Sequence, residues 1–239
     1  MLKDQDKKTY LFRKLTRQGN SKKWTTSFWI KRGKLGRFQY LFGSPEHRGQ
    51  HNNGITSLYF APDDKLHTYF DTSGKNPYGP VSSRLFRDTS VWLHVVWCVD
   101  ASRNSSSIWV NGELLDDQTN APPNYNFAMN QAGRSVKIGM EPWGSGRTAD
   151  CSLYDFYHID GRCLDHNSFG WSNPATGKWE PKEYNLGNDA GNSFHLKFDS
   201  PQNGGIDSSW NGNHFDAINI TANNMVDDVP RPSPSHSVQ

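Results

Sequence analysis

Five glutamates, three cysteines and four methionines are all that this 239-residue chain contains of those types. It has no run of about 18 consecutive apolar residues, so a membrane-spanning helix is not expected. The opening residues, MLKDQDKKTY, lack the apolar stretch of a secretory leader, and a chain made and folded in a cytoplasm is expected. No G-x-S-x-G, H-E-x-x-H or phosphate-binding loop occurs, which leaves serine-hydrolase, zincin and P-loop chemistry without a basis. The scarce glutamates (Glu46, Glu113, Glu141, Glu180 and Glu183) are scattered, and the two nearest neighbours flank Pro181. A glycoside hydrolase needs two carboxylates facing each other about 5–9 Å apart, and this spacing offers no such pair.

The cysteines, Cys98, Cys151 and Cys163, are odd in number and include no C-x-x-C pair. Cys98 sits in the apolar run VWLHVVWCVD and reads as a small buried hydrophobe. Cys151 and Cys163 flank a turn at Asp160-Gly161 and could meet across it, but free thiols are expected of a cytosolic product. His47 and His51 are four apart in a Gly/Asn-rich loop with no helix to align them and no third ligand, so no metal site is assigned.

Charge is distributed unevenly. Residues 1–37 hold twelve Lys and Arg against Asp4 and Asp6, and the rest of the chain is net acidic. Such asymmetry marks a segment that docks on an acidic partner or simply solvates the protein. Lys7, Lys8, Arg13, Lys14 and Arg17 are the docking candidates. Nucleic acid is not expected as the partner, because no helix-turn-helix, zinc finger or RNA-binding motif accompanies the charge.

What the chain has in quantity is aromatic rings and turn formers: 13 Phe, 9 Trp, 9 Tyr, 21 Gly and 13 Pro. Rings burying on the order of 150–250 Å² each can build a core from few apolar residues. Period-two alternation marks strands with one buried face. It runs through residues 24–31, where Thr26, Phe28 and Ile30 share a face, and through 37–43, 55–61, 65–71, 134–140, 151–159 and 192–199. Residues 91–100 are apolar on both faces, as expected of a central strand whose outer face is covered. Asn111-Gly112 between apolar runs is the preferred dipeptide of a two-residue hairpin. A strand within 209–220 is less regular, and only Asp165–Phe169 reads as helical. About a dozen strands without crossover helices predict an all-β fold, a two-sheet antiparallel β-sandwich or jelly roll. Residues 1–23 read as a basic arm with a first strand, 24–226 as the sandwich, and 227–239 as a Pro-rich tail.

Several motifs carry a family resemblance: WTTSFWIKRG (Trp24–Gly33), LFG (Leu41–Gly43), WLHVV (Trp92–Val96), WVNG (Trp109–Gly112), YDFYHIDG (Tyr154–Gly161) and DSSWNGN (Asp207–Asn213). In this order the chain resembles the concanavalin A-like, laminin-G-type jelly rolls of tailed-bacteriophage structural proteins. The most specific parts are Ile159–Gly170 and Asp207–Asn213. The resemblance implies a virion module of a fibre, appendage or head decoration, with other virion proteins and further copies of itself as partners. Such modules bind host surface glycans or serve as building blocks. Jelly-roll glucanases of this fold carry E-x-D-x-x-E on one strand, which is missing here, so no enzyme is expected. Laminin-G relatives often hold a calcium ion; Asp63-Asp64 and Asp116-Asp117 are acidic pairs, but calcium is left unassigned and no other cofactor is expected.

Sugar binding needs rings that stack on pyranose faces beside amides, carboxylates and Arg. Tyr78, Trp143, Arg147, Trp171 and Asn173 lie in Gly/Pro/Asn-rich segments and are the carbohydrate-binding candidates. The competing reading is that these rings cap the sandwich ends or fill a subunit interface.

Overall fold

The computed structural model describes residues 8–45, 55–70, 79–115, 120–143, 146–187, 189, 191–199, 204–224 and 226–230. Two antiparallel sheets hold most of them. The seven-stranded sheet runs in the order β15 (Asp216–Ile218), β1 (Tyr10–Lys14), β10 (Ser135–Ile138), β3 (Gln39–Ser44), β4 (Thr56–Phe60), β5 (Lys65–Phe70) and β6 (Val81–Leu85). The six-stranded sheet runs β14 (Phe194–Leu196), β11 (Cys151–Asp160), β2 (Lys23–Arg32), β7 (Leu93–Asp100), β8 (Ser105–Val110) and β9 (Glu113–Leu114). A small pair, β12 (Gly170–Ser172) and β13 (Trp179–Pro181), stands apart from both. Among the described residues the only helical pieces are single 3-10 turns, one of them at His166–Ser168, where Asp165 caps the Asn167 N–H at 3.1 Å. The all-β sandwich read from alternation is therefore the fold.

The core between the sheets is aromatic. Trp24 meets Trp97 edge-on at 5.9 Å, and Phe28 stacks on Phe156 at 4.8 Å, all fully buried. Each such ring contributes on the order of 2–3 kcal/mol of burial before the entropy of ordering is deducted. Phe28 and Ile30 line this core as alternation requires, while Thr26 on the same face reaches the buried ring of His158 at 2.9 Å. The hairpin joining β8 to β9 forms at Asn111-Gly112, with φ of 52° and 82°, the left-handed pair that its two-residue turn demands.

The outer face of the six-stranded sheet is covered, as the doubly apolar β7 foretold. Val96, Tyr157, Ile159, Phe169 and Leu186 form a second cluster beneath the segment that follows β11. Trp179 of β13 lies over β7, donating from Nε1 to Nδ1 of His94 at 2.9 Å. A Cβ on Gly112 would come within 2.7 Å of the Trp179 ring, so this residue must lack a side chain.

One expectation needs correction. The cysteines are not all free: Cys98 and Cys163 form a disulfide with Cα atoms 5.1 Å apart, tying the covering segment to β7, and Cys151 is the buried free thiol. Cys98 faces outward on β7, where only a partner from the covering layer can reach it. The basic segment carries its first strand as read: Leu11 pairs with Ile138 and Ala217, one strand in from the edge of the seven-stranded sheet. The stretch after Gly170 forms the β12–β13 hairpin.

Candidate functional site: an aromatic strip on the seven-stranded sheet

Strand register makes the strip. Tyr40 of β3 stands opposite Tyr59 of β4, and Tyr59 opposite His67 of β5. Their inward neighbours, Leu41, Leu58 and Leu66, are fully buried, so alternation sends these rings to the outer face. Tyr40 and Tyr59 stack at 4.8 Å, and Tyr59 and His67 at 5.3 Å. Phe38 joins both tyrosines, at 6.4 and 6.2 Å. Trp143 meets Tyr40 edge-on at 5.3 Å and remains 41% exposed. Cross-strand aromatic pairs of this kind fix one another's orientation.

Charge gathers at one end. The stretch after β10 doubles back through a Met140–Thr148 bridge and an N–H bond from Glu141 to the Arg147 carbonyl at 2.9 Å. Its buried Glu141 carboxylate accepts from Arg147 at 3.2 Å, and the Arg147 guanidinium lies 4.7 Å above the Phe38 ring. Lys137 reaches the Glu141 carbonyl at 3.5 Å and faces the Tyr10 ring at 6.0 Å. Lys8 lies over Gly146, where an added Cβ would sit 2.7 Å from its ammonium. Arg147 thus pairs with the buried carboxylate, Lys137 bonds the backbone of the same residue, and Lys8 stands nearby at Gly146. Burial lowers the Lys137 ammonium from its ordinary range against the pull of Glu141. Burial, with Tyr40 and Tyr69 nearby, pushes the Tyr59 phenol up to about 12, so it keeps its proton and can donate a hydrogen bond. Tyr40 is only 4% exposed, Tyr59 and His67 are half-buried, and their faces are turned on one another. The strip therefore offers a sugar the exposed Trp143 ring, the edges of the ladder, and hydroxyl and cationic donors.

Residues 7–162 match the model of the concanavalin A-like lectin/glucanases superfamily. The chain belongs to that superfamily. The match takes in every strand from β1 to β11, and so the whole aromatic strip. Among solved structures, this concanavalin A-like chain is similar to the native heptameric SAP-like pentraxin of Limulus polyphemus, with a TM-score of 0.50 and 16% identity over 68% of this chain and 74% of that one. Also similar are the carbohydrate-binding module (CBM40) of a Ruminococcus gnavus IT-sialidase bound to sialyllactose (TM-score 0.43, 18% identity, 56% and 77% covered) and domain 4 of a Geobacillus stearothermophilus arabinanase in complex with arabinotriose (0.44, 16%, 61% and 64%). At these identities the likeness is one of fold. No curated protein sequence matches the chain.

Within this concanavalin A-like domain the candidates read from sequence part company. Trp143 and Arg147 join the strip, although each packs on a strand ring instead of standing alone in a loop. Trp171 and Asn173 lie on the opposite side of the sandwich, in the layer covering the six-stranded sheet. Asn173 is buried, its amide donating to Glu180 at 2.9 Å and its carbonyl oxygen accepting the Ala175 N–H, so its polar atoms form the turn. Tyr78 lies outside the described residues, as do Lys7, His47, His51 and the Asp116-Asp117 pair. Arg13 is buried and bonds Asn192 at 3.3 Å and Asn213. Lys8, Lys14 and Arg17 are exposed. Asp64 accepts from Arg32 at 3.1 Å, Arg87 at 3.1 Å and the Gly36 N–H at 2.9 Å, and Asp63 bonds His67 at 3.1 Å, so both carboxylates of this pair have protein partners. Among the described residues no group of three His, Cys, Asp or Glu converges as a metal site.

Phe38, Tyr40, Tyr59, His67 and Lys137 were missed as site residues. The signal was present: three successive strands place aromatic rings on the face where alternation predicts polar residues.

Proposed function

We propose that this domain is a non-enzymatic carbohydrate-binding module of a tailed-phage virion, carried on a fibre or appendage, and that a host surface glycan bearing acidic groups lies along the strip. The carrying observation is the stacked Tyr40–Tyr59–His67 ladder with Trp143 at its end, bordered by Lys8, Lys137 and Arg147. A sheet face meant only for water has no need of three rings in register with a fourth packed at their end. The lectin and glucanase membership of the superfamily supports sugar as the ligand. The phage motifs at Ile159–Gly170 and Asp207–Asn213 support the virion setting, and a disulfide suits a surface exposed outside the cell.

Binding without hydrolysis is supported by the engagement of the described glutamates. Glu113 pairs with Arg84 at 3.1 Å, Glu141 with Arg147, Glu180 with Asn173, and Glu183 with Lys197 at 3.6 Å. One shallow site binds weakly, so several copies acting together are part of the proposal; multivalency adds about 10²–10⁴ in avidity. A glycan array tests the reading. Acidic polysaccharides should be retained by the intact chain and released as salt rises, because the cationic border is solvent-facing. Trp143→Ala and Tyr59→Ala should each lower affinity about tenfold. Equal retention of the variants, or no binding to any polysaccharide, contradicts it.

A purely architectural module is the alternative, with the basic N-terminal segment docking on an acidic virion neighbour. Deleting residues 1–17 would remove β1 itself, so the useful test removes only residues 1–7 and measures incorporation into particles.

A further inference from the structure

The stretch Asp207–Asn213 lies beyond the residues matched to the superfamily, and its parts have distinct duties. Asp207 is buried, and its carboxylate accepts from the N–H groups of His195 (2.9 Å), Ser209 (2.9 Å) and Asn213 (2.7 Å) and from the Ser209 hydroxyl (2.8 Å). The Asn211 amide donates to the carbonyls of Asp189 and Ser193 at 2.9 and 3.2 Å, and the Asn213 amide to those of Gly191 and Ser193 at 3.1 and 2.7 Å. Gly212 supplies a left-handed φ of 66°. In this pinned loop Trp210 is 99% exposed. A ring on a slack loop would fold down onto the surface; this loop holds it up in water.

Beneath Trp210 lies a cleft of about 400 Å³, floored by Glu183, Tyr184, His195, Lys197 and Ser208. Through Glu183, His195 and Lys197 it continues into a second hollow of about 240 Å³ that reaches Tyr154, Asp155 and Asp199. Asp155 owes its place to a bulge in β11 between Tyr154 and Tyr157, where its φ is 54°. It holds His195 at 2.5 Å, while the His195 ring stacks on Tyr157 at 3.8 Å. The floor is therefore preformed, and it alternates donors with acceptors as a polyol requires. A protein anchor pocket would instead be apolar at its centre.

We infer that this groove is a second saccharide site, separate from the strip, taking a short neutral or amine-bearing oligosaccharide with one ring stacked on Trp210. Asp155, Glu183 and Asp199 against Lys197 leave the groove acidic, so it disfavours the uronic or sulfated sugars that suit the strip. The sign of charge thus assigns different ligands to opposite sides of one sandwich.

The test follows indole N–H resonances of the isotopically labelled full chain, with Trp210→Ala identifying the peak. Because the ring stands clear of the surface, this variant should fold as the parent does. Trisaccharides of N-acetylglucosamine, glucosamine, mannose and glucose are titrated to about 10 mM, a range that reveals weak single sites, alongside trigalacturonate. At least one neutral or amine-bearing sugar should shift the Trp210 peak, with affinity, read by calorimetry, falling about tenfold in Trp210→Ala and staying within about twofold in Trp143→Ala. The inference is overturned if no trisaccharide moves that peak, if trigalacturonate moves it most, or if Trp210→Ala binds as tightly as the parent. It is equally overturned if the substitution instead abolishes self-association, which would make Trp210 a protein contact. Failure here leaves the strip untouched, since the Trp143 variant reads that site separately.

Discussion

At the scale of single residues, two buried histidines set the response to acid. His158 accepts from Thr26 and donates to Asn130, both at 2.9 Å, and His94 accepts from Trp179 and donates to Ser27, both at 2.9 Å. Burial drives both rings down to about 3, helped by His166 near His94 and by Arg13 near His158. The folded chain therefore keeps them neutral while the unfolded chain protonates them near pH 6.5. Their contribution is complete above pH 6.5 and is lost as pH falls from there toward 3. By pH 5 each should cost on the order of 2 kcal/mol. Urea midpoints at pH 7 and pH 5 check this, and equal midpoints would contradict it. The Arg32–Asp64 pair gives a second expectation. The Arg32 side chain is 0% exposed, and Asp64→Ala would strand its charge at a cost of about 3–5 kcal/mol. Glu113→Ala, which breaks an exposed pair with Arg84, should change stability by less than about 1 kcal/mol. Chemical denaturation of both variants separates these outcomes. Neither histidine nor Arg32 was legible as structural in the sequence, because a polar residue in an alternating strand announces its face but not its partner.

At the scale of elements, the covering layer on the six-stranded sheet depends on its tether. The Cys98–Cys163 bond closes a loop of 65 residues, and Cys163→Ser should lower stability by roughly 2–4 kcal/mol while leaving Tyr59 and Trp143 in place on the far sheet. Denaturation with and without reductant measures the loss; an unchanged midpoint would show the bond to be idle. Strands with long alternation, such as β2, β5 and β11, were readable because one face of each is core. So was the Asn111-Gly112 hairpin, whose two positive φ angles need those residue types. The short edge strand β6 was not readable: VSSRL has no alternation, and its pairing is supplied by β5. The β12–β13 hairpin escaped for a related reason, since three-residue strands carry too few side chains to show a period. The disulfide was hidden because Cys98 looks like a core residue until the outer layer is known to cover it. The free Cys151, buried and pushed up to about 12, should stay unlabelled by thiol reagents in the folded state.

At the scale of the molecule, the sandwich has two unlike outer surfaces. One sheet shows a cation-bordered aromatic strip, and the other is roofed by a tethered layer that leaves an acidic groove beneath Trp210. The sequence candidates mixed these surfaces, because Gly/Pro-rich segments mark loops without saying which sheet they overhang. Trp143 and Arg147 were candidates of that kind, whereas the tyrosines beside them lie within strands and were not among the candidates. The most direct test of the central claim is a binding isotherm of the intact chain against an acidic polysaccharide, repeated with the Tyr59→Ala, Trp143→Ala double variant. The account predicts saturable, salt-sensitive binding that the double variant, still cooperatively folded, loses by about a hundredfold. Undiminished binding by a folded double variant would contradict it.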